Sequence, residues 1–228
     1  MSEIVTFQAR LKDYTVRCSI KLDYIVFPID TYELFEVLKQ SGYKIMTPPL
    51  PPKPPQGIVN VSFSGPFAAK NGTIIDGDID RMIFGVTDKT FESSFERLNE
   101  FMRIILEKLG VDLSEGISFY EYISSFTCSS EKNPIAAIGQ IFRDCQILPN
   151  INKILGEDAS LYNLKIVPRN TVPNQKEWFD ITISPNRIKP TNLYNVDVVF
   201  RSSDLSKFTK KGKEMISNLH QIIELIES

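Results

Sequence analysis

Histidine, tryptophan and cysteine are scarce in this chain of 228 residues, which holds one His, one Trp and three Cys. With His220 as its single imidazole, a four-ligand zinc site would have to be collected from scattered positions. A nucleophilic Cys or Ser would likewise have only that residue as an imidazole base. Cys18, Cys128 and Cys145 form no CxxC pair and are odd in number, which fits reduced thiols better than a disulfide framework. Glycine-rich phosphate loops of the Walker or dinucleotide type are missing, which argues against the commonest nucleotide enzymes and leaves no cofactor to expect. No apolar run approaches the roughly 18 residues that a membrane helix needs. The start, MSEIVTFQARLKDYTVR, carries charges every few residues and cannot serve as a secretory signal. The expectation is a soluble protein that stays in the cytoplasm, with no membrane partner. A formal net charge of -2 gives no global basic field, so nucleic acid is not the default partner.

What is present is ordinary globular material, 42% hydrophobic and 24% charged. Residues 5–11 alternate Val5, Phe7, Ala9 and Leu11, and after Lys12-Asp13 the series Val16, Cys18, Ile20, Leu22, Tyr24 continues on the other parity. This predicts strand with a turn or bulge at the flip. Asp30 or Thr31 can cap a short helix through Leu34, Phe35, Val37 and Leu38 that stops at Gly42. Thr47 to Gln56 is too proline-rich for helix or central strand and reads as a stiff connector, although Pro48 to Lys53 also fits a short polyproline recognition pattern. Ile58, Val59, Val61 and Phe63 read as a strand, Lys70-Asn71-Gly72 as a hairpin turn, and Thr73 to Val86 as the returning strand or strands. Thr87 and Asp88 lead into a long amphipathic helix with Phe91, Phe95, Leu98, Met102, Ile105 and Leu109 in register, ended by Gly110.

The second half repeats this order. Phe119 to Thr127 reads as a strand, and Asn133-Pro134 opens a helix expected to run through Ile135, Ile138, Ile141, Phe142 and Cys145 to about Leu148. Strands follow at Leu161–Val167, Trp178–Ile183 and Leu193–Arg201. Ser203 and Asp204 cap a last helix carrying Phe208, Met215, Leu219, Ile222 and Ile226. An offset of 117 maps five of the six apolar positions of the first long helix onto apolar positions of the last, and pairs Leu98 with Met215.

These features predict an α+β fold of two similar β-α-β(2-4)-α halves, 1–112 and 113–228, each with antiparallel strands and one long packed helix. The halves form either one continuous curved sheet or two lobes with a cleft. The element order, with Gln56-Gly57-Ile58-Val59 before a strand, resembles the duplicated saddle of TATA-binding proteins and, less closely, the helix-grip ligand-binding folds. The first resemblance implies a surface for nucleic acid, but the chain lacks paired intercalating aromatics and basic strand faces in both halves.

Three groups of residues are candidate sites. Arg10, Lys12, Arg17 and Lys21 alternate and would line one sheet face as a basic strip able to meet phosphates or an acidic protein, or simply form a solvated edge. Asp76, Asp78 and Asp80 would set three carboxylates on one side of a strand, a geometry suited to magnesium or calcium, although Gly77 could instead mark a bulge. Lys207, Lys210, Lys211 and Lys213 crowd the first turns of the last helix, where the macrodipole disfavours cations and an anionic partner would be welcome. The leading expectation is a non-enzymatic binding or interaction protein that uses a concave or inter-lobe sheet surface. A nucleic-acid-binding protein and an enzyme built on the aspartate row are the alternatives. Phe119, Tyr120, Tyr122 and Phe126 occupy both parities of one strand, so its second face needs cover from another subunit, most economically in a twofold dimer, or from the first half of the same chain.

Overall fold

The structure, a computed structural model, describes residues 7–23, 29–46, 52, 63–143 and 147–228. The strand expected at Ile58–Val61, nearly all of the proline-rich connector, and Cys145 lie outside the described residues.

One continuous antiparallel sheet of ten strands forms the centre of the molecule. In chain order the strands are β1 (Leu11–Lys12), β2 (Val16–Leu22), β3 (Lys44–Ile45), β4 (Ser64–Lys70), β5 (Thr73–Asp78), β6 (Ile83–Asp88), β7 (Ile117–Ser129), β8 (Leu164–Ile166), β9 (Trp178–Pro185) and β10 (Leu193–Ser202). The described helices are α1 (Thr31–Gln40), α2 (Phe91–Leu109), α3 (Pro134–Ile141), α4 (Leu148–Leu155) and α5 (Leu205–Glu227). The strand order across the sheet is β3-β4-β5-β6-β2-β7-β10-β9-β8, with β1 also paired to β7. It reads alike from both sides of the β2–β7 seam: each central strand is flanked by the strand that feeds a long helix.

Local chemistry accounts for most boundaries. Asp13 has φ 57, and Asp13, Tyr14 and Thr15 stand between the pairs Lys12↔Thr127 and Val16↔Ser124, where β7 contributes only Ser125 and Phe126. This extra residue is the bulge that the parity flip predicts. The segment before it is not strand as expected: Phe7 and Gln8 are helical, and Phe7 is buried with its ring 4.7 Å from that of His220. Asn71 and Gly72, with φ 53 and 88, make the two-residue turn between β4 and β5. Thr90 and Ser93 form a capping box at the start of α2, and Gly110 closes that helix with φ 68. Asn133 caps α3 ahead of Pro134, but this helix ends at Ile141 rather than near Leu148, and a separate α4 begins at Leu148. None of the residues of α4 is buried, and Ile154 is 82% exposed.

The core lies between the sheet and α1, α2, α3 and α5. Val16, Cys18, Ile20 and Leu22 of β2, Tyr120, Tyr122 and Phe126 of β7, and Tyr194, Val196 and Val198 of β10 are buried. The Ser94 hydroxyl of α2 donates to the Val16 carbonyl at 2.6 Å, tying helix to strand. Leu98 and Met215 are both buried, but the stripes of the two long helices coincide at a different offset from the one the apolar pattern predicts. Measured from their caps, Thr90 and Asp204, both helices bury the fourth, eighth, eleventh and fifteenth residues. Leu98 therefore corresponds to Gly212, and Phe101 to Met215, an offset of 114 rather than 117.

Candidate ligand cavity

A cavity of about 510 Å³ opens between α5 and the β8–β10 side of the sheet. Its apolar floor is Phe179 and Ile181 of β9 with Phe200 of β10, and Met215 and Ile222 of α5 form the opposite wall. The segment between β8 and β9 closes one end through Pro168 and Thr171, and Trp178, the single tryptophan, also lines it. In the other half of the sheet phenylalanines pack together beside β4–β6. The rings of Phe35, Phe63, Phe67, Phe84 and Phe101 follow one another at centroid separations of 4.9 to 6.3 Å. Gly77 makes room for three of them: an added Cβ would lie 3.1–3.2 Å from Phe67, Phe63 and Phe84.

The rim of the cavity is charged. Lys207 and Lys211, one helical turn apart on α5, stand at the rim with a single carboxylate, Glu177; Arg201 of β10 also lines the cavity, but its guanidinium pairs with Glu121 of β7. Lys207 pairs with Glu177 at 2.5 Å. Glu177 also accepts hydrogen bonds from the Ser202 and Ser203 hydroxyls and from the Ser203 backbone N–H. Burial pushes its pKa up, but these bonds outweigh it and hold the carboxyl below its ordinary value. The partner of Lys211 is Glu214, at 3.7 Å and outside the cavity lining. Lys210 and Lys213, the other members of the expected lysine cluster, are exposed and do not line the cavity. The helix start thus divides its lysines between solvent and the cavity rim.

On the opposite face of the sheet, four charged residues form a chain across five strands. Arg17 of β2 reaches over β6 to Asp76 of β5 at 2.5 Å and lies 3.7 Å from Glu121 of β7, which pairs in turn with Arg201 of β10 at 2.5 Å. Gly85 of β6 permits the crossing, since a Cβ there would stand 2.5 Å from the Arg17 guanidinium. The Arg17 Nη1 also donates to the Ser19 hydroxyl at 2.9 Å. Burial works against the Arg17 charge, but Asp76 and Glu121 more than offset it and raise its pKa.

The expected basic strip is therefore not a strip. Arg10 leaves the sheet face to bind Glu227 at the end of α5, at 3.0 Å. That carboxylate, 7% exposed, also accepts from the Ser130 hydroxyl at 2.6 Å and the Glu131 N–H at 3.1 Å. Lys12 is exposed in β1, Arg17 is engaged by carboxylates, and the Lys21 ammonium donates to the carbonyls of Leu22 and Arg81. The aspartate row is divided as well. Asp76 is held by Arg17, Asp78 accepts from the Arg81 N–H and the Ser64 hydroxyl, and Asp80 lies in the turn after β5. Among the described residues no group of three or more His, Cys, Asp or Glu is placed to hold a metal ion.

Sequence reasoning missed Glu121, Arg201 and Glu177. The available signal for Glu121 was a lone acid inside an aromatic, β-branched strand; the other two have no local signature, since their partners are 25 to 80 residues away. No described helix is long and apolar enough to cross a membrane. Comparison with protein-family models, with curated proteins and with solved structures finds no match for this chain.

Proposed function

We propose that this is a non-enzymatic binding protein that takes a small, largely apolar molecule into the cavity between α5 and strands β8–β10. The observation that carries this reading is the cavity itself, about 510 Å³ between α5 and strands β8–β10, with an apolar floor and wall and charged groups at its rim. That volume falls within the ~300–1,000 Å³ common for small-molecule sites, and an apolar wall with a few polar groups at the rim is their usual composition. A cavity this large that served no ligand would forgo packing stabilisation for nothing.

The reading includes a duplicated architecture of the saddle or helix-grip kind. The symmetric strand order supports it. So does a pair of matching contacts at the ends of the strands that feed the long helices. Thr73 donates its hydroxyl to Asp88 at 2.6 Å in the first half, and Ser202 donates to Glu177 at 3.0 Å in the second, with hydroxyl and carboxylate exchanged between the paired strands. The carboxylate then receives the next backbone N–H in each case, from Lys89 and from Ser203.

Trp178 is a built-in reporter. Titration with decanol, a neutral apolar probe, is expected to change Trp178 emission with saturation, and Ile222→Phe, which narrows the cavity, is expected to weaken the response at least fivefold. No saturable change in the unmodified protein, or an unaltered response in Ile222→Phe, would remove the cavity as the binding site.

A further inference from the structure

Resting on that cavity reading, we infer that the natural occupant is an amphiphile with one anionic head, a medium-chain carboxylate in its simplest form, whose head lies between Lys207 and Lys211. The rim carries two ammonium groups, Lys207 and Lys211, against one carboxylate, Glu177, since the Arg201 guanidinium turns to the other face of the sheet and pairs with Glu121. Lys207 is engaged closely, by Glu177 at 2.5 Å. Lys211 is not. Its partner Glu214 stands at 3.7 Å, too long for a good hydrogen bond, and is itself 41% exposed.

An ammonium at the mouth of an apolar cavity with only a loose, solvated partner is matched by an incoming anion, and the apolar walls formed by Phe179, Ile181 and Ile222 are matched by a hydrocarbon body. Lys207 also lies in the first turn of α5, where the helix field opposes its charge. An anion between Lys207 and Lys211 meets two ammonium groups at once. A neutral or cationic head would leave the excess positive charge of the rim unanswered.

The test compares decanoate and decyltrimethylammonium, each below its micelle concentration, with decanol below its solubility limit, by Trp178 fluorescence of the full chain at constant pH and at two salt concentrations. Decanoate is expected to bind at least tenfold more tightly than decanol and to weaken as salt rises; decyltrimethylammonium is expected to bind more weakly than either. Lys211→Ala should reduce the preference for decanoate over decanol at least fivefold, and saturable decanol binding by the variant shows that its cavity persists. Equal binding of decanoate and decanol, or no effect of Lys211→Ala on decanoate, overturns the anionic-head inference and leaves the cavity reading standing. Failure of all three probes overturns both.

Discussion

Gly212, in the middle of α5, lies against the ring of Phe91 at the start of α2: a Cβ at residue 212 would stand 2.2 Å from the Phe91 ring. A mid-helix glycine costs about 1 kcal/mol relative to alanine, so its presence here has a packing cause. The Phe91 ring also meets Phe95, Tyr122 and Phe208 at 5.6 to 6.1 Å, forming the contact where the two long helices cross above the central strands.

Gly212→Ala should therefore destabilise the protein despite the gain in helix propensity, by about 1–2 kcal/mol, as overpacking outweighs that gain. Combining it with Phe91→Leu should recover part of the loss, because the smaller side chain vacates the position the new methyl needs. Denaturant unfolding of the two single variants and the double variant measures the coupling; additive losses would show that the two residues do not constrain each other.

The chain Asp76–Arg17–Glu121–Arg201 alternates in sign and is balanced, with the Glu121 side chain only 8% exposed. Removing its middle acid leaves two guanidinium groups facing one another across β7. Glu121→Ala is expected to cost about 3 kcal/mol, the low end of the range for breaking a buried pair, because the arginines are 21% and 25% exposed and water can reach them. Asp76→Ala, at the outer end of the chain, should cost less. Urea unfolding of both variants checks the order, and an equal or reversed ranking would contradict the central role of Glu121.

How far the fold could be read in advance follows from how local each signal is. Asn133, Asp204 and the Asn71-Gly72 turn act on backbone groups within three residues, and all were legible; the lead into α2 was read at Thr87 and Asp88, which end β6, while the cap itself is Thr90. The parity flip at Asp13 was legible because the hydrophobic alternation itself changes phase. The relation between the long helices was not: Phe208 and Phe91 are both large and buried, so the sequence pattern aligned them, while the caps and the Gly212 contact set an offset three residues shorter. The break between α3 and α4 was hidden by a nearly continuous apolar series, Ile135, Ile138, Ile141, Phe142. The cavity had no sequence signature, since its floor, wall and rim come from separate elements; only the crowding of lysines at the start of α5 pointed toward it.

Cys18 and Cys128 are both buried, and burial raises the pKa of each, that of Cys128 to about 11 and that of Cys18 higher still. The thiolate is the reactive form, so in the native state both should resist alkylation at neutral pH. A Cys145→Ser variant treated with maleimide is expected to remain almost unlabelled when folded and to take up two equivalents in denaturant. Rapid native labelling of either residue would contradict its placement in the core.

Acid should weaken the two strand ends that feed the long helices. Asp88 and Glu177 each suffer a burial effect that raises the pKa, and in each it is outweighed, by the Thr73 hydroxyl and Lys89 N–H for Asp88 and by Lys207, Ser203 and Ser202 for Glu177. Both folded-state values are therefore lowered. A depressed carboxylate contributes stability that is fully present above its unfolded value, about 4, and is lost as pH falls through the lower folded value. Stability should thus be level from neutrality to about pH 5 and decline below it. Thr73→Val and Ser202→Ala each remove one hydroxyl donor and keep the carboxylate, so each should lower stability at pH 7 and make the decline between about pH 5 and 3 shallower, with the double variant shallowest. Solvent reaches Glu177, whose side chain is 43% exposed, so its share is the smaller. Thermal melts of the four proteins at intervals from pH 7 to 3 decide this, and an acid limb of unchanged slope in the double variant would show that these paired contacts do not set the acid sensitivity of the fold.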